Sequence, residues 1–282
     1  MTWVGHYLKY GTISVVIPIW KPHTEQLKQC LDSMVKQTYD DLEFVLIYRK
    51  STEFDNMFYS LINNYHDDKR LKVIESKTVG FTNSLNEGIE KSEGEFIARI
   101  DSDDFCETNR FERQLEFKKE NHSNVVGTWA YSISYEGQKI GKIELPVTHE
   151  QIRRKMMLHC PMLHPSILME KKIFSDIGLY DPSFIHAEDY ELYFRAMRHG
   201  YRFSNVPNYL TYIREGTTSR SRGSEWQLQR RYYIKAKNKA FLRYGFNRYY
   251  DIFYHILTPL SYFVSPRIAY NVKRLSGWYK SD

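Results

Sequence analysis

A chain of 282 residues with 42% apolar and 26% charged side chains can bury a substantial core and has the composition of a soluble globular protein. Its cysteines, Cys30, Cys106 and Cys160, are an odd number without a repeating spacing, which argues against a disulfide framework and for a reducing compartment. The net charge of +6 is lopsided, because residues 220–282 carry 13 Lys plus Arg against 3 Asp plus Glu and the preceding residues are net acidic.

The opening MTWVGHYLKYG lacks the basic start and apolar run of a secretory signal, so a cytoplasmic protein is expected. Residues 12–20, TISVVIPIW, are a β-branched run with a proline stop and predict a buried strand. Leu27, Cys30, Leu31, Met34 and Val35 then recur at helical spacing, with Thr24 as the expected N-cap. LEFVLIY at 42–48 predicts a strand, 53–66 a helix, LKVIES at 71–76 a strand, 80–91 a helix and EFIARI at 95–100 a fourth strand. Strand and helix alternating at this short spacing imply an α/β fold, a parallel sheet with helices on both faces. Ligands of such sheets sit beyond the carboxyl ends of the strands. That edge holds Pro18 to Trp20, Tyr48 to Ser51 and the acids after Ile100.

Asp101, Asp103 and Asp104 stand too close together to be comfortable unless something positive lies among them. They are hard oxygen ligands, suited to Mg²⁺ or Mn²⁺ that keeps positions open for phosphate oxygens. The plainer reading is an acidic loop that caps a helix starting near Thr108. Beyond a helix at 108–120, VVGTWAYSISY suggests a strand, EGQKIGK a hairpin turn, and 148–157 and 188–199 helices. EGTTSRSRGS at 215–224 reads as a loop and sets a boundary between a domain at 1–222 and a basic, helical extension at 223–282. Neither G-x-G-x-x-G nor a P-loop is present, against a dinucleotide oxidoreductase or an ATPase.

ISVVIPIWKP, VGFTNSLNEGIEKSEGEFIARIDSDD, HPSILM and AEDYELYFRAMRHG, in this order over roughly residues 12–220, resemble the successive motifs of family 2 glycosyltransferases with the Rossmann-like GT-A fold. The resemblance implies an inverting transferase that moves a sugar from a nucleoside diphosphate, a UDP-sugar foremost, to a hydroxyl of a glycan or polyprenyl-linked acceptor. It places Pro18, Ile19 and Trp20 at the nucleobase, and Gly80, Asn83, Asp101 and Ser102 along the donor. Asp103, with Asp101 and Asp104, falls at the metal. Asp189 maps to the catalytic base, with Glu188 beside it. The plain alternative for these two acids is a favourable position at the positive end of the helix they open. Arg214 and Ser219 match a late segment that meets the diphosphate, where the usual histidine is missing and Arg220 and Arg222 stand nearby. At the end of the second strand YRKS replaces the common Asp-Asp-Gly-Ser, which leaves the base identity open. Tyr48 either stacks on a base or closes the core. His159, Cys160 and His164 match no zinc spacing and read as a turn that shapes the acceptor side.

Residues 225–244 predict a helix, and the chain beyond it mixes rings, aliphatics and cations. Such composition suits a segment lying at an anionic membrane surface, which would put the protein at the inner face of the cell membrane. Packing on the catalytic domain or homodimerisation are the alternatives. No nucleic-acid recognition motif accompanies the charge. A binding-only scaffold that kept the fold is the rival to an enzyme, favoured by YRKS and the missing histidine.

Overall fold

The computed structural model describes residues 9–215, 226–257 and 279–280. The first half is β1 (Lys9–Ile19), α1 (Thr24–Val35), β2 (Leu42–Tyr48), α2 (Asp55–Asn63), β3 (Leu71–Glu75), α3 (Phe81–Lys91) and β4 (Gly94–Arg99). Its four strands are parallel in the order β4-β1-β2-β3, as the alternation predicted. Alternate side chains divide between two cores, as the two-residue period of a strand requires. Ile13, Val15, Ile17, Phe44, Leu46 and Tyr48 face the side of α1 and α2, while Val16, Val45 and Ile47 face α3. Gly88 lets α3 lie down on β1, since a Cβ there would run into the Val16 side chain. α1 begins at Thr24 itself. Its N-cap is His23, which makes no side-chain capping bond, so the expected cap at Thr24 is displaced by one residue.

The second half is β5 (Phe105–Cys106), α4 (Arg110–Glu120), β6 (Val125–Ile133), β7 (Lys139–Ile143), α5 (His149–Lys155), a 3₁₀ turn at His164–Ser166, β8 (Leu168–Glu170), α6 (Lys172–Ile177), α7 (Glu188–Arg198) and β9 (Phe203–Arg214). α8 (Trp226–Arg243), α9 (Tyr249–Leu257) and β10 (Tyr279–Lys280) complete the described elements. Parallel pairing does not extend through this half. β8 runs antiparallel between β4 and the start of β6, β7 returns antiparallel from a hairpin with Gly137 at φ 93°, and β9 rejoins β6 in parallel. β9 is absent from the sequence reading because Pro207 and Asn208 interrupt it. They are exposed and bulge out where pairing jumps from Thr128–Val206 to Trp129–Tyr209.

α8 packs on α7. Ala236, Ala240 and Phe246 belong to the same core as Tyr190, Leu192 and Phe194 of α7. Lys239 reaches the fully buried Glu191 at 2.7 Å and Asp181 at 3.2 Å. Arg153 of α5 grips Asp251 of α9 through two bonds of 2.9 and 2.8 Å. Packing therefore accounts for this part of the basic segment. Many of the aromatic rings of this half serve the core, among them Tyr190 against Tyr233 and Phe194 against Phe246.

Candidate active site

The segment after β4 is a tight turn in which the Asp104 amide donates to the Asp101 carbonyl at 3.1 Å. Asp101, Asp103 and Asp104 each place a carboxylate oxygen within 4.8 Å of the others. Two arginines fix the turn from behind. Arg110, fully buried at the start of α4, donates to the Arg99 carbonyl at 3.0 Å. The backbone amide of Arg214 donates to Asp104 Oδ1 at 2.7 Å and its Nε to the Asp103 carbonyl at 2.9 Å. Burial first, and then Asp101, pushes the Asp103 carboxyl up to about 6, although its side chain also reaches solvent. Asp104 is buried and raised further, by desolvation and then by its two acidic neighbours. A crowded set of hard oxygens whose charged form is disfavoured suits a divalent cation, which would relieve that repulsion.

A second acidic set lies at the start of α7. Ala187 precedes it in the left-handed region, φ 58°, a conformation that an alanine holds only at a cost of about 1–2 kcal/mol. The turn seats Glu188 and Asp189 on the first residues of the helix. Glu188 is buried 3.8 Å from His164 Nδ1, and His164 Nε2 meets the Tyr180 hydroxyl at 2.8 Å. Burial, and then Arg99, holds His164 well below the ordinary imidazole range, so it is neutral at pH 7. His164, Glu188 and Asp189 could themselves close on an ion. His159 and Cys160 are not part of that group. Asp189, half-buried, is pushed up to about 6, chiefly by desolvation.

Arg99, the last residue of β4, joins the two sets. Its guanidinium is ion-paired to Asp101, lies 5.3 Å from the Phe81 ring centroid, and is close enough to Asp189 to hold that carboxyl down against its burial. The sequence reading passed over Arg99. The signal was available, because an arginine inside a strand predicted to be buried needs a counter-charge.

The remaining expected residues divide. Trp20 is 56% exposed at the end of β1, with Lys21 Nζ at 5.1 Å and the Arg49 guanidinium at 5.6 Å from its ring centroid. Pro18 and Ile19 are buried beneath it and can offer only backbone. Gly80, at φ 102°, caps α3, and Asn83 in its first turn donates to the Val79 carbonyl at 2.7 Å. Ser102 sits half-buried between the acids. Tyr48 settles in the core and not at a base. It is fully buried, stacked on Phe58 at 3.7 Å, and donates to Asp55 at 2.7 Å. Its parity with Phe44 and Leu46 turns it inward.

Arg214 also departs from the expectation, because its guanidinium is spent within the protein. Besides Asp103, it serves the carbonyls of Ser134 at 3.1 Å and Tyr135 at 2.6 Å and the side chain of Gln29 at 2.8 Å. This is a clasp that holds the acidic turn to β9, α1 and the β6–β7 hairpin. Replacing it by lysine, which cannot span these acceptors, is expected to lower stability by about 2–3 kcal/mol, measured by thermal melting. An unchanged melt with a raised donor KM would instead assign it to the diphosphate. Ser219, Arg220 and Arg222 lie outside the described residues.

The family model described as Glycosyl transferase family 2 matches residues 14–178, more than half of the chain. The protein is a family 2 glycosyltransferase. Among its relatives is the amylovoran biosynthesis glycosyltransferase AmsE of Erwinia amylovora, 28% identical over 79% of this chain and 82% of that one. Another is the O-antigen biosynthesis glycosyltransferase WbnJ of Escherichia coli, 26% identical over 66% of this chain and 71% of that one. Solved structures share the GT-A fold. S. aureus TarS 1–349 in complex with UDP-GlcNAc superposes with a TM-score of 0.69 at 19% identity, over 89% of this chain and 73% of that one. The Pyrobaculum calidifontis mannosyltransferase PcManGT, in complex with GDP-Man and Mn²⁺, gives 0.64 at 14%, over 94% and 74%. Membership places this glycosyltransferase among enzymes and against the binding-only rival.

Proposed function

We propose that this glycosyltransferase moves a sugar from a nucleoside diphosphate, a UDP-sugar foremost, to a hydroxyl of a glycan or polyprenyl-linked glycan, inverting the anomeric centre. The observation that carries the reading is the pairing of two acidic sets across one buried arginine, Arg99, at the carboxyl edge of the sheet. Asp103 and Asp101, with Asp104, fit Mn²⁺ or Mg²⁺, and such an ion supplies charge neutralisation for the departing diphosphate. Trp20 presents a ring face to the nucleobase, and Gly80, Asn83 and Ser102 border the path of the donor. Asp189 takes the acceptor's proton. A carboxyl near 6 is ionised at pH 7 yet more basic than an ordinary aspartate, as a general base should be. Glu188, buried against neutral His164, holds the base in place. AmsE and WbnJ, named for amylovoran and O-antigen biosynthesis, support a role in surface-polysaccharide biosynthesis.

Incubation with a panel of sugar nucleotides and Mn²⁺, followed through released nucleoside diphosphate and the anomeric proton of the product, tests the reading. Retained configuration would overturn the single displacement, and no turnover with any donor and acceptor would overturn the transfer. Asp103→Ala is expected to weaken Mn²⁺-dependent donor binding at least about tenfold in calorimetry, with metal-free binding unchanged.

A further inference from the structure

The described part of the basic segment contains an apolar stripe that its packing does not use. In α9, Tyr249, Ile252, Phe253 and Ile256 are 85, 42, 58 and 67% exposed. Their spacing of three, four and seven residues puts them on one face of the helix. The opposite face is fastened down. Asp251 is fully buried in its paired bonds with Arg153, His255 stacks on Phe241 at 4.1 Å, and Tyr254 is half-buried against the core. The stripe is therefore presented by an anchored helix and is not the by-product of a loose one. Leu242, 77% exposed, adds to it at the end of α8 that leads into α9.

The charges around the stripe are of one sign. Between residues 226 and 257 the sole acid is Asp251, which is turned inward, while seven Lys and Arg occur in the same stretch. Arg243 and Arg248 are exposed on either side of the connection between the two helices. An apolar ridge bordered by cations, with no exposed carboxylate in either helix, complements a surface that is apolar below and anionic above. A second copy of the chain fits less well. Two-fold pairing through the stripe would bring Arg243 and Arg248 of both copies together with no acid of these helices to oppose them.

We infer that the exposed face of α9 docks this protein on an anionic lipid bilayer, with Ile252, Phe253 and Ile256 entering the acyl boundary and Arg243 and Arg248 meeting headgroup phosphates. No helix among the described residues is long and apolar enough to cross a membrane, so the contact is interfacial. The inference stands independently of the donor and acceptor.

The test is co-sedimentation of the full chain with phosphatidylglycerol-containing vesicles and with phosphatidylcholine vesicles, beside the variant Phe253→Glu/Ile256→Glu. Both positions face solvent, and unchanged circular dichroism and melting establish that the variant is folded. The expected result is partitioning onto the anionic vesicles that falls as salt is raised, is weak on phosphatidylcholine, and drops at least about tenfold in the variant. Equal partitioning of the variant, or no binding of the unaltered chain to anionic vesicles, overturns the inference. So does sedimentation velocity showing a dimer of the unaltered chain that the variant dissolves, since a second copy would then be the occupant.

Discussion

Asp189→Asn is expected to lower kcat by about 10²–10⁴-fold while leaving donor KM within about twofold. Asparagine keeps the shape of the side chain at the start of α7 and removes only its capacity to take a proton. The effect should therefore fall on the chemical step and not on binding. In the unaltered enzyme the same group sets the acid limb of the pH profile. With Asp189 at about 6, kcat should fall about tenfold per pH unit below that value and level off above it.

The substitution should also stabilise the protein, in a way whose sign follows from the raised carboxyl. Between its unfolded value near 4 and its folded value of about 6, Asp189 binds more proton in the folded chain than in the unfolded one. Stability from this group is thus fully present below the unfolded value and is lost as pH rises through the folded one. Asparagine avoids that loss. Allowing for partial exposure, melts at pH 8 should favour the variant by on the order of 1 kcal/mol, and the advantage should vanish near pH 4. A variant inactive and less stable at pH 8 would mean that the helix start has come apart, and the kinetic loss would then carry no mechanistic weight.

How far the sequence foretold this site depends on which physical signal each residue carried. The four parallel strands and their helices were legible because apolar runs, helical spacing and turns all agreed over 12–100. The acidic turn was legible with them, since the carboxyl edge of such a sheet has to hold the residues just after Ile100. Tyr48 was left open between core and base although its parity with Phe44 and Leu46 argued for the core, because the motif drew attention to the strand end. The resemblance put Arg214 at the diphosphate because it matches the late segment of the family. Its clasp depends on the Ser134 and Tyr135 carbonyls, brought to it by a strand pairing that local sequence does not encode. β9 was missed where Pro207 sits in a bulge. The packing of α8 on α7 was one alternative among three, because an amphipathic basic helix has the same composition whether its apolar side meets protein or lipid.

Arg99→Met is expected to destabilise the protein by about 1–3 kcal/mol at neutral pH, as it removes a buried arginine from a part-exposed Asp101 that then loses its charged partner. Methionine fills much of the volume and can still lie against Phe81, so the loss is chiefly electrostatic. The destabilisation should shrink toward pH 5, where Asp103 and Asp189, both raised to about 6, take up protons. Activity should change in a direction that simple loosening does not predict. Arg99 holds Asp189 down against its burial, so its removal raises Asp189 further and moves the acid limb of kcat to higher pH. Arg99→Lys restores a charge but not the planar fork, and should return the limb most of the way while recovering only part of the stability. Melts at pH 5 and 8, with kcat profiles for both variants, decide the matter. If Arg99→Met melts early but keeps its acid limb where the unaltered enzyme has it, the arginine is a structural pin for the Asp101 turn alone, and the two acidic sets act without it.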